Sequence, residues 1–315
     1  MLGHLYARAM PAYAAHRDLR VRDAERSLAG SLWLPSVPPL ATVLMHPGSG
    51  PSDRDNGGYF APIRAHLLDS GFAVCSFDKR GVGGSTGRWQ EAGIVEQADD
   101  VIAAFGTLRA EDELGTPIGL FGHSQGGWVV VDAASRGGPV AFVISNSGPG
   151  VSPADQERYS SLTRMERSGA DSDHVARAMR AFDALIGLMR EGVPFADVRS
   201  RLVEAGFAPD EDLEGLGFVP ENPAEWDLAV AMIDYDPRPA LTRIAVPVLA
   251  LFGRDDAIVP VDASVAVYRA TVRPELLSVA VLSGGDHRVQ TGEPPRLVDS
   301  YLEIVSSFIA RAVAS

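Results

Sequence analysis

Short continuous apolar runs, each closed by a polar or glycine-rich turn, recur along this chain. They occupy residues 41–45, 72–77, 118–121, 140–145, 246–252 and 277–282. The turns that follow them begin at His46-Pro-Gly-Ser-Gly, Asp78-Lys-Arg-Gly, Gly122-His-Ser-Gln-Gly, Asn146-Ser-Gly-Pro-Gly, Gly253-Arg-Asp-Asp and Ser283-Gly-Gly-Asp-His. Apolar runs that do not alternate, separated by helix-compatible segments, predict strands covered on both faces. That pattern means an α/β fold with a mostly parallel central sheet flanked by helices. In such sheets ligands gather at the carboxyl ends of the strands, which is where all six turns fall.

Two regions depart from this rhythm. Residues 1–18 read as a short, weakly amphipathic helical lead, and residues 19–35 alternate about a central turn like a β-hairpin. Residues 151–236 contain no convincing strand. There Asp173 is placed to cap a helix with apolar positions Val175, Met179, Phe182, Ile186 and Met189. Phe195, Val198 and Leu202 give a second helix, and Asn222-Pro-Ala-Glu reads as the start of a third. The expected layout is a lead (1–18), a first part of the core (19–150), a helical lid insertion (151–236) and a second part of the core (237–315). No internal repeat or low-complexity tract interrupts it.

Composition narrows the function classes. The 315 residues are 46% hydrophobic and 22% charged, with a net charge of −13 and a pI of about 5.0. That acidity argues against nucleic acid or an anionic membrane as the main partner. The single cysteine, Cys75, lies in an apolar run and reads as a core thiol. It rules out an intrachain disulfide and a thiolate zinc site, and no H-E-x-x-H occurs. The amino-terminal residues lack the apolar core of a signal peptide, and no apolar stretch reaches transmembrane length. The expectation is a cytoplasmic protein acting on a small molecule, with no cofactor and no metal; self-association into a homo-oligomer stays open.

The chemistry concentrates at Gly122-His123-Ser124-Gln125-Gly126. This is a G-x-S-x-G motif with a strand pattern before it and a helix pattern after it, the context of a nucleophile elbow. A serine there sits on a sharp turn that lifts its hydroxyl above the sheet edge. The Gln125 N–H, at the helix start, faces the oxyanion that would develop on an attacked carbonyl. Outside this context the same five residues would be a bland glycine-rich turn. A serine nucleophile needs a base and an orienting acid. Of seven histidines, His4 and His16 lie in the lead, His66 and His174 in helical patterns, and His123 is turned away by the elbow. His46 and His287 remain, and His287, in the loop after the last strand, is the better base. Asp255 and Asp256 follow the preceding strand, and either could be the acid. The order serine, aspartate, histidine differs from those of the chymotrypsin-like and subtilisin-like proteases.

These segments, with Gly48-Ser-Gly-Pro-Ser-Asp-Arg-Asp, Phe77-Asp-Lys-Arg-Gly-Val-Gly-Gly-Ser and Asp234-Tyr-Asp-Pro, resemble the α/β-hydrolase superfamily from about residue 20 onward. Within it they are similar to the branch of serine aminopeptidase-like and prolyl-oligopeptidase-like esterases. The resemblance implies the α/β-hydrolase fold. It places the acid three residues after Gly253, which selects Asp256. It assigns the second oxyanion N–H to Ser49, although the loop reads His46-Pro47-Gly48 where the family has His-Gly, and Pro47 has no N–H to give. It implies loop-fixing roles for Arg54, Asp78 and Arg80. Trp128 reads as helix–sheet packing. Tyr159 and Trp226 are candidates to line an acyl pocket under the lid, with plain packing as the alternative.

The expected function is a serine hydrolase, foremost a carboxylesterase cleaving small-molecule esters through an acyl-enzyme. A serine peptidase or amidase, or a biosynthetic acyltransferase or cyclase, would use the same residues. A non-catalytic binding protein on this fold would normally lack one of Ser124, Asp256 and His287, and all three are present.

Overall fold

In the computed structural model, which describes residues 15–23, 26–111 and 114–314, eight strands form one sheet. Its spatial order is β1 (Ala15–Asp23), β2 (Arg26–Leu34), β4 (Ala73–Phe77), β3 (Thr42–His46), β5 (Ile118–His123), β6 (Val140–Asn146), β7 (Val248–Gly253) and β8 (Leu277–Leu282). The β1–β2 and β2–β4 pairs are antiparallel, and the pairs from β4 to β8 are parallel. The hairpin expected over 19–35 is β1 and β2, but its first strand begins at Ala15. The helical lead is therefore corrected over residues 15–18, and its residues 1–14 lie outside the described residues. Only Leu19 and Val21 of β1 are buried hydrophobics, so the polar opening of this edge strand carries little period-two signal.

The parallel strands are apolar without a break because both faces are covered. In β3, Val43 and Met45 face one apolar cluster while Leu44 faces another. The first cluster is closed by α1 (Phe60–Asp69) and α11 (Tyr301–Ala314) through Phe60, Ile63, Val305 and Phe308. The second is closed by α2 (Ile94–Arg109), α3 (Gln125–Ser135), α9 (Arg238–Arg243) and α10 (Val261–Thr271). Cys75 is fully buried among these residues, and burial pushes its thiol pKa up, away from the reactive thiolate.

Between β6 and β7 the chain runs through α4 (Pro153–Arg167), α5 (Ser172–Arg190), α6 (Phe195–Glu204), α7 (Pro209–Asp212) and α8 (Pro223–Met232). Of these, α4, α5, α6 and α8 share a third apolar cluster containing Met179, Phe182, Ile186, Met189, Leu202 and Trp226. Asp171, not Asp173, caps α5: its side chain accepts from the Asp173 and His174 N–H groups. Asn222 caps α8 by accepting from the Glu225 N–H at 3.1 Å. Among the described residues, no helix is long and apolar enough to cross a membrane.

One buried polar cluster joins three elements beneath the carboxyl edge of the sheet. Asn146, at the end of β6, donates to the Tyr59 hydroxyl at 3.1 Å and accepts from the Tyr301 hydroxyl at 2.9 Å. It ties α11 to the sheet on the side where the last loop returns. Removing only the Tyr301 hydroxyl leaves the buried Asn146 carbonyl without that donor, a loss of about 1–3 kcal/mol. We therefore expect Tyr301→Phe to lower the urea midpoint with an unchanged slope. An unaltered midpoint would show that this bond contributes nothing.

Candidate active site

Ser124 stands alone between β5 and α3, with φ +55° and ψ −123°. A non-glycine residue in this region stores about 1–3 kcal/mol of strain. The turn is pinned by the Ser124 N–H donating to the Asn146 carbonyl at 2.9 Å and the Gly127 N–H donating to the Ser124 carbonyl at 2.7 Å. Two glycines make the turn sterically feasible. A Cβ on Gly122 would collide with the Gly126 carbonyl, and one on Gly126 would lie 2.6 Å from the carbonyl oxygens of His46 and Pro47.

The structure brings Ser124, His287 and Asp256 together. His287 Nδ1 is 2.8 Å from Asp256 Oδ2, and His287 Nε2 is 2.9 Å from Ser124 Oγ. A carboxylate only accepts, so Nδ1 carries the proton and donates to it. That leaves the Nε2 lone pair to accept from the serine hydroxyl. Asp256 is 1% exposed, and its Oδ1 accepts the Ile258 and Val259 N–H groups at 2.8 and 2.9 Å. Asp255 is turned out of this arrangement: its N–H donates to Gly285 at 2.8 Å and its carbonyl accepts from Arg167. Such a relay can take a proton from the serine and return it to a leaving group.

The loops carrying Asp256 and His287 are held against each other. Gly253 ends β7 where the Gly285 and Asp286 carbonyls pass too close for any Cβ. Asp286 accepts the Arg288 and Gln290 N–H groups at 2.8 Å and thereby shapes the turn that presents His287. His123 points away from the cavity, as expected, yet it has a place in this assembly. It accepts from Asn56 Nδ2 at 3.0 Å, and its other nitrogen donates to the His287 carbonyl at 3.4 Å. Burial, then the neighbouring His287, holds its pKa well below the usual histidine value, so it stays neutral.

Ser49 and Gln125 border one cavity of about 570 Å³ that opens beside the elbow. The Gly48 N–H is used by Asn56 Oδ1 at 3.4 Å. The cavity runs inward past Leu44, Phe77, Val101 and Ala104 and is roofed by Phe218, Val219, Leu228 and Met232 of the helical segment. Its floor carries a polar chain missed in the sequence. The neutral His46 donates from Nε2 to Gln97 Oε1 at 3.1 Å, burial having driven its pKa down to about 3. Gln97 donates to Gln125 Oε1 at 3.3 Å, and Lys79 Nζ donates to the same oxygen at 2.9 Å. Lys79 is 7% exposed, and burial lowers its pKa to about 7.

The two candidate pocket aromatics lie elsewhere. Trp226 is 2% exposed inside the cluster of the helical segment, tilted against Phe195, and its N–H is taken by the Val193 carbonyl at 2.8 Å. Tyr159 donates to the Asp256 carbonyl at 3.0 Å. Neither borders the cavity: the indole is the apolar centre of its own layer, and the phenol is used as a brace. Gln156 and Arg167, also on α4, donate to the Ile258 and Asp255 carbonyls, so α4 grips the loop that carries Asp256. Arg54 clamps Asp78 with both ends of its guanidinium, at 3.0 and 2.7 Å, and Arg80 clamps Asp100 at 2.7 and 2.9 Å. The first pair ties two loops together, and the second ties the loop after β4 to α2. Trp128 is buried and donates to the Val151 carbonyl.

An eight-stranded, mostly parallel sheet with a serine on the elbow after its fifth strand is the architecture of an α/β hydrolase. Residues 43–300 match the model of the alpha/beta hydrolase family, and this chain belongs to that family. An AB hydrolase superfamily protein, YisY, of Bacillus subtilis is 28% identical over 220 residues, 68% of this chain and 75% of that one. The Pyrococcus furiosus esterase Pf2001 superposes with a TM-score of 0.64 at 17% identity, covering 99% of this chain and 96% of the esterase. Proline iminopeptidase of Mycobacterium smegmatis superposes at 0.61 with 16% identity, covering 95% and 99%. At these identities the two structures show the shared fold alone.

The low pKa of Lys79 makes a thermodynamic prediction. Its folded-state value of about 7 lies below the usual 10.5. Between these values the unfolded chain holds a proton that the folded chain has released, so this group's contribution to stability rises with pH. The penalty for burying the ammonium is fully present below pH 7 and is relieved as pH climbs toward 10.5. The stability of wild type relative to Lys79→Met should therefore increase between pH 7 and pH 10, read from denaturant midpoints. A difference that stays flat across that window would contradict the assignment.

Proposed function

We propose that this α/β hydrolase is a serine hydrolase whose substrates are small-molecule carboxylic esters. The observation that supports this most strongly is the continuous relay from Asp256 through His287 to Ser124, at 2.8 and 2.9 Å, beside a largely apolar cavity bordered by Ser49 and Gln125. Ser124 Oγ attacks the ester carbonyl while His287 Nε2 takes its proton. The new oxyanion is received by the N–H groups of Ser49 and Gln125. Asp256 holds the histidine tautomer and stabilises the imidazolium. His287 then protonates the departing alcohol, and a water molecule, deprotonated by the same nitrogen, releases the acid.

The cavity lies on the side of Ser49 and Gln125, with neither Ser124 nor His287 in its walls. The leaving alcohol must stay beside His287 to be protonated, so the acyl group occupies the cavity. Its walls carry Leu28, Leu44, Phe77, Val101 and Ala104, which favour an alkyl or aryl acyl chain by about 0.8 kcal/mol per buried methylene. The segment carrying Leu228 and Met232 acts as the lid over that chain. This favours an esterase over a peptidase, whose leaving group is the larger, polar part of the substrate.

Labelling, site-directed variants and a substrate panel test the proposal. A fluorophosphonate probe should add to Ser124 and to no other serine, and Ser124→Ala should lose activity by about a millionfold. Asp256→Asn should lose about ten-thousandfold, through the wrong histidine tautomer, with Asp255→Asn close to wild type. On a panel of p-nitrophenyl esters and matched anilides, the esters should be hydrolysed far faster, with a preference for chains longer than acetyl. Labelling of a different serine would sink the assignment of the nucleophile. Equal rates on the anilides would move the function to amide cleavage, and labelling without turnover would move it to acyl transfer.

A further inference from the structure

The Lys79 side chain crosses the floor of the cavity and makes two hydrogen bonds that bear on a single task. Its Nζ donates to the Gly48 carbonyl at 2.5 Å and to Gln125 Oε1 at 2.9 Å. The Gly48 carbonyl and the Ser49 N–H belong to the same peptide group. That group is planar and trans, so the two dipole ends point in opposite directions. A donor fastened to the carbonyl on one side therefore fixes the direction of the N–H on the other. A Cβ built on Gly48 would lie 3.5 Å from the Ser124 Cβ, which places this peptide beside the nucleophile.

We infer that Lys79 is a positioning residue for the oxyanion site. One buried side chain holds both residues whose N–H groups receive the oxyanion, Ser49 through the Gly48 carbonyl and Gln125 through its side chain. This deepens the serine-hydrolase reading and rests on it. The loop needs such a brace. Pro47 has no N–H with which to fix the segment; Asn56 reaches the Gly48 N–H at 3.4 Å and the Ser52 hydroxyl reaches the Gly48 carbonyl at 3.5 Å, so the much shorter lysine bond is the main hold that keeps this carbonyl turned away from the developing negative charge. A donor to the carbonyl also polarises the peptide, because hydrogen bonds in a chain strengthen one another, and this makes the Ser49 N–H a better donor. Lys79 borders the cavity, but its Nζ is committed to the Gly48 carbonyl and to Gln125 Oε1, so it acts through the oxyanion loop and moves no proton. Gln97, which also donates to Gln125 Oε1, keeps that side chain turned toward the lysine.

A merely structural lysine would be replaceable by an apolar side chain of similar length, since removing a buried charge together with its burial cost is often neutral for stability. Lys79→Met makes that replacement and separates the two roles. With the ester substrate, kcat should fall by about 10- to 100-fold, as for loss of part of an oxyanion site. KM should stay within about threefold, and the melting temperature should not fall. Phenylboronic acid, whose adduct on Ser124 places an oxygen in the same site, should lose affinity by the same factor as kcat/KM. Lys79→Gln, which keeps an N–H donor, should recover part of both losses.

Wild-type kcat in folded Lys79→Met, alongside an inactive Ser124→Ala, overturns this inference and leaves the serine-hydrolase reading standing. Activity surviving in Ser124→Ala overturns the reading beneath it. A fall in kcat with unchanged boronate affinity also overturns the inference, because Lys79 would then act outside the oxyanion site. Should the methionine variant not fold, Lys79→Gln is read in the same two assays, and wild-type kcat and boronate affinity there count against the role.

Discussion

The close approach of α3 to the carboxyl ends of β3 and β5 is the constraint on which the site depends. The helix can start where it does only because Gly122 and Gly126 have no side chains where their backbones and the His46-Pro47 carbonyls meet. That contact forces Ser124 into its positive-φ turn and raises its hydroxyl to His287. The same contact puts the first N–H of the helix beside the loop containing Ser49. Side chains at either glycine would push the helix away and, in the proposed mechanism, lose the nucleophile, its partner and the oxyanion donors together.

Around that fixed point, three loops are each held by contacts from neighbouring elements. The Asp256 loop is gripped by three side chains of α4, the His287 loop by the Gly253 contact and by Asp286, and the Ser49 loop by Asn56 and Lys79. The helical segment therefore has two connections to the site. In the proposed function, α8, which borders the cavity, bears on which acyl group fits, while α4 bears on the geometry of the acid. A substitution in this segment can alter turnover without touching substrate, and the two kinds of effect divide between different helices.

The parallel sheet was legible because strands covered on both faces are apolar throughout, and the elbow was legible because its glycines are a steric necessity. The Asp256 register depended on family resemblance, since Asp255 and Asp256 are chemically identical in sequence. The start of β1 was missed because a polar edge strand shows no alternation until Leu19 and Val21. Trp226 and Tyr159 were misplaced for a different reason. Helical periodicity tells which residues are buried, not whether they face a cavity or a neighbouring helix. Lys79 went unremarked between Asp78 and Arg80, because a lysine in a loop motif normally reaches solvent and only the folded chain shows it buried. Asp286 and His123 carried no signal of their own beyond adjacency to His287 and Ser124.

The account holds that one oxygen of a tetrahedral species on Ser124 sits between two particular peptide N–H groups. A crystal structure of the enzyme inactivated with an ethyl fluorophosphonate tests this directly. The phosphonyl oxygen is expected within about 3.1 Å of both the Ser49 and Gln125 nitrogens, with the Gly48 carbonyl still on Lys79 Nζ and His287 still bonded to Asp256. An oxygen held by other groups, or a Gly48–Ser49 peptide turned with its carbonyl toward the phosphorus, would contradict it.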